Sequence, residues 1–348
     1  MAQKNIRDAI NETLKLEMRR DPTVVVIGED VVGGLGGTSG VEEAAGGTFG
    51  VTAGLAAEFG RRRVIDTPIT ESAIIGMAGG AALTGLRPVA ELMFIDFIGV
   101  CFDQILNQIA KFRYMFGGKA KVPVVIRTMI GAGMGTGPQH SQALYNMLAS
   151  VPGIKVVLPS NAYDAKGLLT TAIRDDDPVI FCEHKAMYLD ACEVPDESYT
   201  IPFGQAAITR KGGDVTVVGI SRMVTFANKV ADKLAKEGIA VEVIDPRTIS
   251  PLDTATILAS VRKTGRLVVV DECNPICSVA SEITSLAACE ALAALKAAPV
   301  KVTAPHTPVP ATPDLEQAYV PSLERIEQAI RSTLASGTGA GRVAAAAG

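Results

Sequence analysis

The sequence predicts an α/β protein made of two three-layer domains. Three observations carry that reading. Short apolar runs such as TVVVIG (23–28), DVTVVGI (214–220) and RLVVVD (266–271) alternate with stretches of helical spacing, the mark of parallel strands buried on both faces. The chain has 348 residues and is 48% hydrophobic, which is too much for one comfortable core and suits two. Its 34 glycines and small aliphatics, with only 5% aromatics, fit helices and sheets in close contact.

The elements follow in order. Ile6–Arg20 has helical periodicity and Thr23–Gly28 is a buried strand. The glycine-rich run Gly33–Gly50 has no packing face of its own and is expected to be a loop. Strands are then expected at Arg63–Asp66, Pro88–Met93, Val122–Thr128, Ile154–Pro159 and Pro178–Glu183. Helices are expected between them, at Thr70–Gly85, Phe97–Met115, Ser141–Ser150 and Tyr163–Arg174. A second glycine-rich loop runs from Gly131 to Gln139. The alternation lapses between Lys185 and Phe203, where Pro195, Pro202 and several acids read as a linker. A second α/β unit places strands at Asp214–Ile220, Ala240–Asp245 and Arg266–Asp271, with a terminal helix at Leu323–Leu334. The expected organisation is therefore a first domain over 1–190, a linker over 191–205, a second domain over 206–335 and a disordered tail over 336–348. In the helix from Thr70, Gly76, Gly79 and Gly80 lie on or near one face. Glycine in a helix costs about 1 kcal/mol against alanine. Something must therefore approach closely, either inside the domain or across a subunit interface.

Composition excludes several function classes. The net charge of −4 gives no footprint for nucleic acid, and Arg61–Arg63 reads as a solvated turn. The stretch MAQKNIRDAINETL lacks the apolar core of a secretory signal. The longest apolar stretch, Ser72–Leu86, falls short of the ~20 residues of a membrane span. Six cysteines without a Cys-x-x-Cys pair read as free thiols, and a cytoplasmic location is expected.

In open α/β sheets ligands bind beyond the carboxyl ends of the strands. Three such ends stand out: Asp66–Glu71 (DTPITE), Glu91–Phe97 (ELMFIDF) and Gly131–His140. All three are expected to converge on one rim. Read alone, Glu71 serves equally as a helix cap, His140 as a core histidine, and Met93 and Phe97 as core.

The same segments carry a resemblance. GEDV (28–31), DTPITE (66–71), GLRP (85–88), QHSQ (139–142), AIRDDDP (172–178) and DPRTISPLD (245–253) resemble the β subunits of the thiamine-diphosphate-dependent first components of 2-oxoacid dehydrogenase complexes. The likeness runs in order from residue 4 to about 335. LMFIDFIGVCFDQ (92–104), KFRYMFGGK (111–119) and FCEHK (181–185) are most similar to the acetoin dehydrogenase branch.

The resemblance implies a pyrimidine-binding domain followed by a transketolase C-terminal-like domain. It places Glu71 against the aminopyrimidine ring of thiamine diphosphate, where a carboxyl favours the imino form and so promotes loss of the thiazolium proton. It assigns Phe97 to pack on that ring, Met93 and Ile69 to its apolar wall, and Glu29 to a second acid beside it. His140 is implied to face the reacting end and to donate a proton as the acyl group passes to lipoamide. The carbonyls of Val124, Ala172, Asp175 and Asp177 match a potassium site of some members, and a helix end capped by acids before Pro178 explains them equally. The family binds the diphosphate through magnesium held by a Gly-Asp-Gly motif, which this chain lacks. The resemblance thus implies an α subunit that supplies the magnesium ligands, an α2β2 heterotetramer, and a dihydrolipoyl acyltransferase as acceptor. Gly33–Gly50 is longer and richer in glycine than in the pyruvate-type members, and is expected to order when a partner or substrate binds.

Acetoin cleavage to acetaldehyde, with transfer of the acetyl unit to lipoamide or reduction of a dye, is the leading expectation. A pyruvate or branched-chain 2-oxoacid dehydrogenase β subunit is the alternative. A non-catalytic scaffold subunit is the reading from a different class, and Glu71, Phe97 and His140 argue against it.

Overall fold

Runs of consecutive apolar residues become strands covered on both faces. Val24–Gly28 and every residue of VIRTMI (125–130) and VIFCEH (179–184) are buried, as parallel strands under helices must be. The molecule is described here by a computed structural model of residues 1–33 and 46–335. Residues 34–45 of the first glycine-rich run, and the 336–348 tail, lie outside the described residues. The chain forms two units. Met1–Gln205, Arg247–Leu252 and Pro308–Glu316 make the first, and Ala206–Pro246, Asp253–Thr307 and the chain from Gln317 make the second.

Strands are numbered along the chain. The first eight are β1 (Ala2–Asn5), β2 (Val24–Glu29), β3 (Val64–Thr67), β4 (Arg87–Phe94), β5 (Val125–Ile130), β6 (Lys155–Val157), β7 (Val179–His184) and β8 (Ala191–Val194). The rest are β9 (Ala207–Arg210), β10 (Val215–Gly219), β11 (Val241–Asp245), β12 (Thr248–Ser250), β13 (Leu267–Asp271) and β14 (Val300–Thr303).

The first unit holds a seven-stranded sheet in the order β12-β6-β7-β5-β4-β2-β3. It is parallel except for the edge strand β12. Helices Ile6–Arg20 and Ala162–Arg174 pack together on it through Leu14, Met18, Leu168 and Leu169. Glu17 ties the two helices: Arg174 donates Nε and Nη2 to it at 2.9 and 2.6 Å, and Arg20 adds Nε at 2.7 Å. The second unit holds a five-stranded sheet, β14-β13-β10-β11-β9, parallel except for the edge strand β9.

The two-unit α/β prediction holds, with local differences. The stretch read as a linker carries β8, which pairs antiparallel with β1. Farther on, Ile201 packs where a Cβ on Gly167 would stand, 2.6 Å from its Cγ1. The ribbon was invisible because its partner is the chain's own first residues. The helix expected over Phe97–Met115 is divided into a 3-10 turn (Ile95–Phe97), α-helix (Ile98–Asp103), π-helix (Gln104–Ile109) and α-helix (Ala110–Met115). The helix expected over Ser141–Ser150 is confined to Tyr145–Ala149. The amides of Ser141 and Gln142 bond instead to the Asp96 carboxylate, at 3.2 and 3.1 Å. Edge strands β9 and β14 are half exposed and lack the continuous apolar run that reveals a central strand.

On helix Glu71–Leu83, one glycine of the face fits the packing reading. A Cβ on Gly79 would stand 2.7 Å from Ile109 Cγ1 in the π segment, so that glycine serves packing within the unit. Gly80 has nothing within 4 Å of such a Cβ and is exposed.

Candidate active site

Parallel register sets the strand ends in line. Glu29 pairs with Thr67, Gly28 with Glu91, Phe94 with Met129, and Ile130 with His184. The three segments singled out in the sequence therefore do emerge on one rim of the first sheet, where ligands of such folds bind.

Glu71 opens its helix directly after β3 and is half-buried. Glu29 ends β2. Burial pushes the Glu29 carboxyl above its ordinary pKa, and the nearby acids Asp30, Glu71, Glu91 and Asp66 push it further. Burial, with Glu71 second, also raises the Cys101 thiol to about 12. This thiol is an inert buried group.

Phe97 and His140 do come together. Their rings meet edge to face at 5.4 Å, and Phe94 packs against both, at 5.9 and 4.8 Å. Met93 lies half-buried at the end of β4, with Thr48 Oγ1 at 3.6 Å from its sulfur. Ile69 stands apart: it is 72% exposed, with its apolar face uncovered in this chain. Two buried polar atoms on the same rim, Thr67 Oγ1 and Asp96 Oδ2, find no hydrogen-bond partner among the described residues. Orphans of this kind are rare inside folded chains and call for a polar ligand, water or partner. A half-buried carboxyl at a helix start, an aromatic face, an exposed aliphatic and two orphaned polar atoms fit an aminopyrimidine ring.

The four carbonyls considered for potassium already accept bonds within the chain in three cases. Val124 O accepts from Val179 N at 3.0 Å, Ala172 O from Asp175 N at 3.3 Å, and Asp175 O from Arg87 Nη1 at 2.9 Å. Lys155 Nζ sits 2.6 Å from the Asp175 carboxylate, and Arg113 pairs with Asp177. These cations neutralise the turn and favour the capped-helix reading of it.

Several residues of the site escaped the sequence reading. Arg127, 2% exposed at the centre of β5, donates Nε and Nη2 to Glu183 at 2.6 and 2.7 Å and Nη1 to Glu91 at 2.8 Å. Tyr188 donates its hydroxyl to Glu183 at 2.7 Å. Burial holds the Glu91 carboxyl above its usual range despite Arg127. A charge inside each of three apolar strands was the available signal. The Gly131–His140 loop has further buried supports. Glu316 accepts from the amides of Gly133 and Gly135 at 2.7 and 2.9 Å. Lys185 reaches the loop from the end of β7. His184, unassigned in the sequence, packs its ring beneath Gly131, whose φ of +88° and missing Cβ make the room.

The comparisons with known proteins identify the family. The transketolase pyrimidine binding domain matches residues 2–189, and the transketolase C-terminal domain matches residues 204–326. The acetoin:2,6-dichlorophenolindophenol oxidoreductase subunit beta of Cupriavidus necator is 56% identical over 97% of this chain and 99% of its own. Its Bacillus subtilis counterpart is 54% identical over 92% of this chain and 94% of its own. The pyruvate dehydrogenase E1 component subunit beta of Staphylococcus epidermidis is 43% identical over 96% and 99%. A split-gene transketolase, solved as an inactive β4 tetramer, superposes with a TM-score of 0.76 at 24% identity over 96% of this chain and 99% of that one, a likeness of fold. The chain belongs to the transketolase-like family of β subunits that serve acetoin:2,6-dichlorophenolindophenol oxidoreductases and pyruvate dehydrogenase first components.

Proposed function

We propose that the chain is the β subunit of a thiamine-diphosphate-dependent acetoin dehydrogenase and forms half of an active site completed by an α subunit. One observation carries the half-site: Glu71, Glu29, Phe97 and His140 lie on a single rim with Ile69 left uncovered. Identity of 56% and 54% to acetoin oxidoreductase subunits, against 43% to a pyruvate dehydrogenase subunit, favours acetoin as substrate.

Thiamine diphosphate, when bound, supplies a nucleophilic thiazolium carbon that allows cleavage of the bond between a carbonyl carbon and its neighbour. Glu71 holds a proton at the pyrimidine nitrogen, and Glu29, whose carboxyl burial and neighbouring acids hold above its ordinary pKa, exchanges protons with it. Phe97 packs on the ring, and Met93 and Ile69 exclude water from its edges. Acetoin is split to acetaldehyde and a two-carbon fragment that leaves at the acetyl level. Its two electrons reduce a lipoyl disulfide, one sulfur bonding the acetyl carbon and the other taking a proton from His140, or they reduce a dye.

Magnesium and the diphosphate belong to the α subunit, because this chain has no Gly-Asp-Gly motif. The α subunit is read as covering Ile69, Met77, Leu83 and Val100, large apolar residues exposed on or beside helix Glu71–Leu83, with Gly80 open between them. An α2β2 assembly and a dihydrolipoyl acyltransferase acceptor complete the reading. A cytoplasmic location fits six free cysteines, and no described helix is long and apolar enough to cross a membrane. Potassium is left out of the reading, since three of the four carbonyls considered for it, those of Val124, Ala172 and Asp175, accept hydrogen bonds from Arg87 and the backbone.

The test is reconstitution with the α subunit, thiamine diphosphate and magnesium, following dye reduction with acetoin, pyruvate and a branched-chain oxo acid in parallel. Reduction with acetoin alone, with acetaldehyde released, is expected. Preference for an oxo acid with release of carbon dioxide would overturn the substrate assignment.

A further inference from the structure

Lys185 is 2% exposed, yet its ammonium meets three acceptors of one loop. Nζ donates to Thr136 Oγ1 at 2.6 Å, to Ser141 Oγ at 3.0 Å and to the carbonyl of His140. Thr136 and Ser141 are joined to each other, Oγ to Oγ, at 2.7 Å. The same ammonium lies 5.6 Å from the Phe94 ring, and the His140 imidazole packs edge-on against that ring at 4.8 Å. Of the three side chains that anchor this loop, Glu316 holds Gly133 and Gly135, and Asp96 holds Ser141 and Gln142. Of these three, Lys185 bonds His140 itself, at the carbonyl that also accepts from Thr136 Oγ1 at 3.1 Å.

We propose that Lys185 is a positioning residue for His140, fixing the imidazole against Phe94 and Phe97 at the height needed for proton delivery. The argument is one of desolvation. An ammonium has three hydrogens and no way to share them with solvent at this depth. If the loop lifted, a buried ammonium would lose these three charge-assisted hydrogen bonds together, which is unfavourable. The charge thus penalises every loop position except the one observed. A neutral side chain of the same length would fill the space without imposing that penalty. Displacement of a reacting group by about 1 Å costs on the order of a hundredfold in rate.

The inference rests on the reading of His140 as proton donor to the lipoyl sulfur. The experiment therefore uses the α2β2 holoenzyme with two assays: acetylation of a lipoyl domain, and dye reduction, which needs no proton from His140. Lys185→Met is expected to slow acetylation about ten- to a hundredfold through kcat, with KM for acetoin and the rate of dye reduction near wild type. Thr136→Val, at an exposed position that leaves the fold intact, is expected to act in the same direction but more weakly. Wild-type acetylation in both variants would overturn the proposal. Equal loss of both activities in Lys185→Met, with Thr136→Val unaffected, would also overturn it, because the lysine would then be a general support. His140→Ala separates the two ideas. If it acetylates at the wild-type rate, the role of His140 fails, whatever Lys185 does.

Discussion

At the scale of single residues, the site is a set of charges placed where water is scarce. Glu71→Ala in the assembled enzyme is expected to lower turnover by about a hundred- to ten-thousandfold, the usual range for a positioned acid or base, with assembly intact by sedimentation. Turnover that survived would support the scaffold reading. Glu29 and Glu17 give opposite pH signatures. Burial and four acidic neighbours raise the Glu29 pKa, so its charge destabilises the fold above that raised value and the penalty fades as pH falls below the ordinary one. Glu29→Gln should therefore raise Tm at pH 8 and leave it unchanged near pH 4. An equal gain at both pH values would show that the charge is not the cause. Glu17 is opposed by burial but held below its usual pKa by Arg174 and Arg20. Its contribution is present above the ordinary glutamate value and lost as pH falls through the lowered one. Glu17→Gln should lower Tm at pH 7, with a difference that narrows in acid. The sequence made Glu71, Met93, Phe97 and His140 legible because each lies in a segment at or beyond the carboxyl end of a strand, and the resemblance gave them roles. Lys185, Asp96 and Glu316 were not legible as supports of the His140 loop. Their partners lie 44–49, 45–46 and 181–183 residues away, and no local pattern encodes such pairings.

At the scale of elements, two packings decide how the rim is held. Arg127 on β5 joins Glu91 on β4 to Glu183 on β7, so three adjacent strands are pinned by one guanidinium. Removing one partner from such a buried group leaves unpaired charge and typically costs about 3–5 kcal/mol. Arg127→Met is expected to lose stability on that order, read from denaturant midpoints. A change within about 0.5 kcal/mol, the usual scale of a surface substitution, would mean that the carboxyls simply take up protons. The helix Glu71–Leu83 makes the second packing. Gly79→Ala forces Ile109 and the π segment to shift, an overpacking of about 1–3 kcal/mol. Gly80→Ala meets open space and should stabilise the isolated chain by up to about 1 kcal/mol. Gly80→Leu should leave the isolated chain folded and weaken capture of the α subunit, measured by co-purification. Central strands were readable because burial on both faces demands unbroken apolar runs. Strands β1, β8, β9, β12 and β14 were not, being short or half exposed.

At the scale of the whole molecule, the proposed function is that of a protein that works with a partner subunit. On the proposed reading this chain carries the pyrimidine side of the cofactor site, and the missing Gly-Asp-Gly weighs as much in that reading as the carboxyls that are present. Thiamine diphosphate with magnesium is expected to bind this chain weakly when alone and tightly once the α subunit is added, as read by calorimetry. Equal affinity in both cases would place the diphosphate site here. The first unit, however, is not a continuous stretch of sequence: β12 and Glu316 reach it from residues 247–252 and 308–316. A gene crossover anywhere between 206 and 246 would thus take the sheet's edge strand and the clamp on Gly133 and Gly135 from a different parent than the strand and the loop they bond to. Exchange of activities between relatives by recombination must then proceed through paired breakpoints, and a library of single-junction chimeras should be depleted of active members across that whole interval.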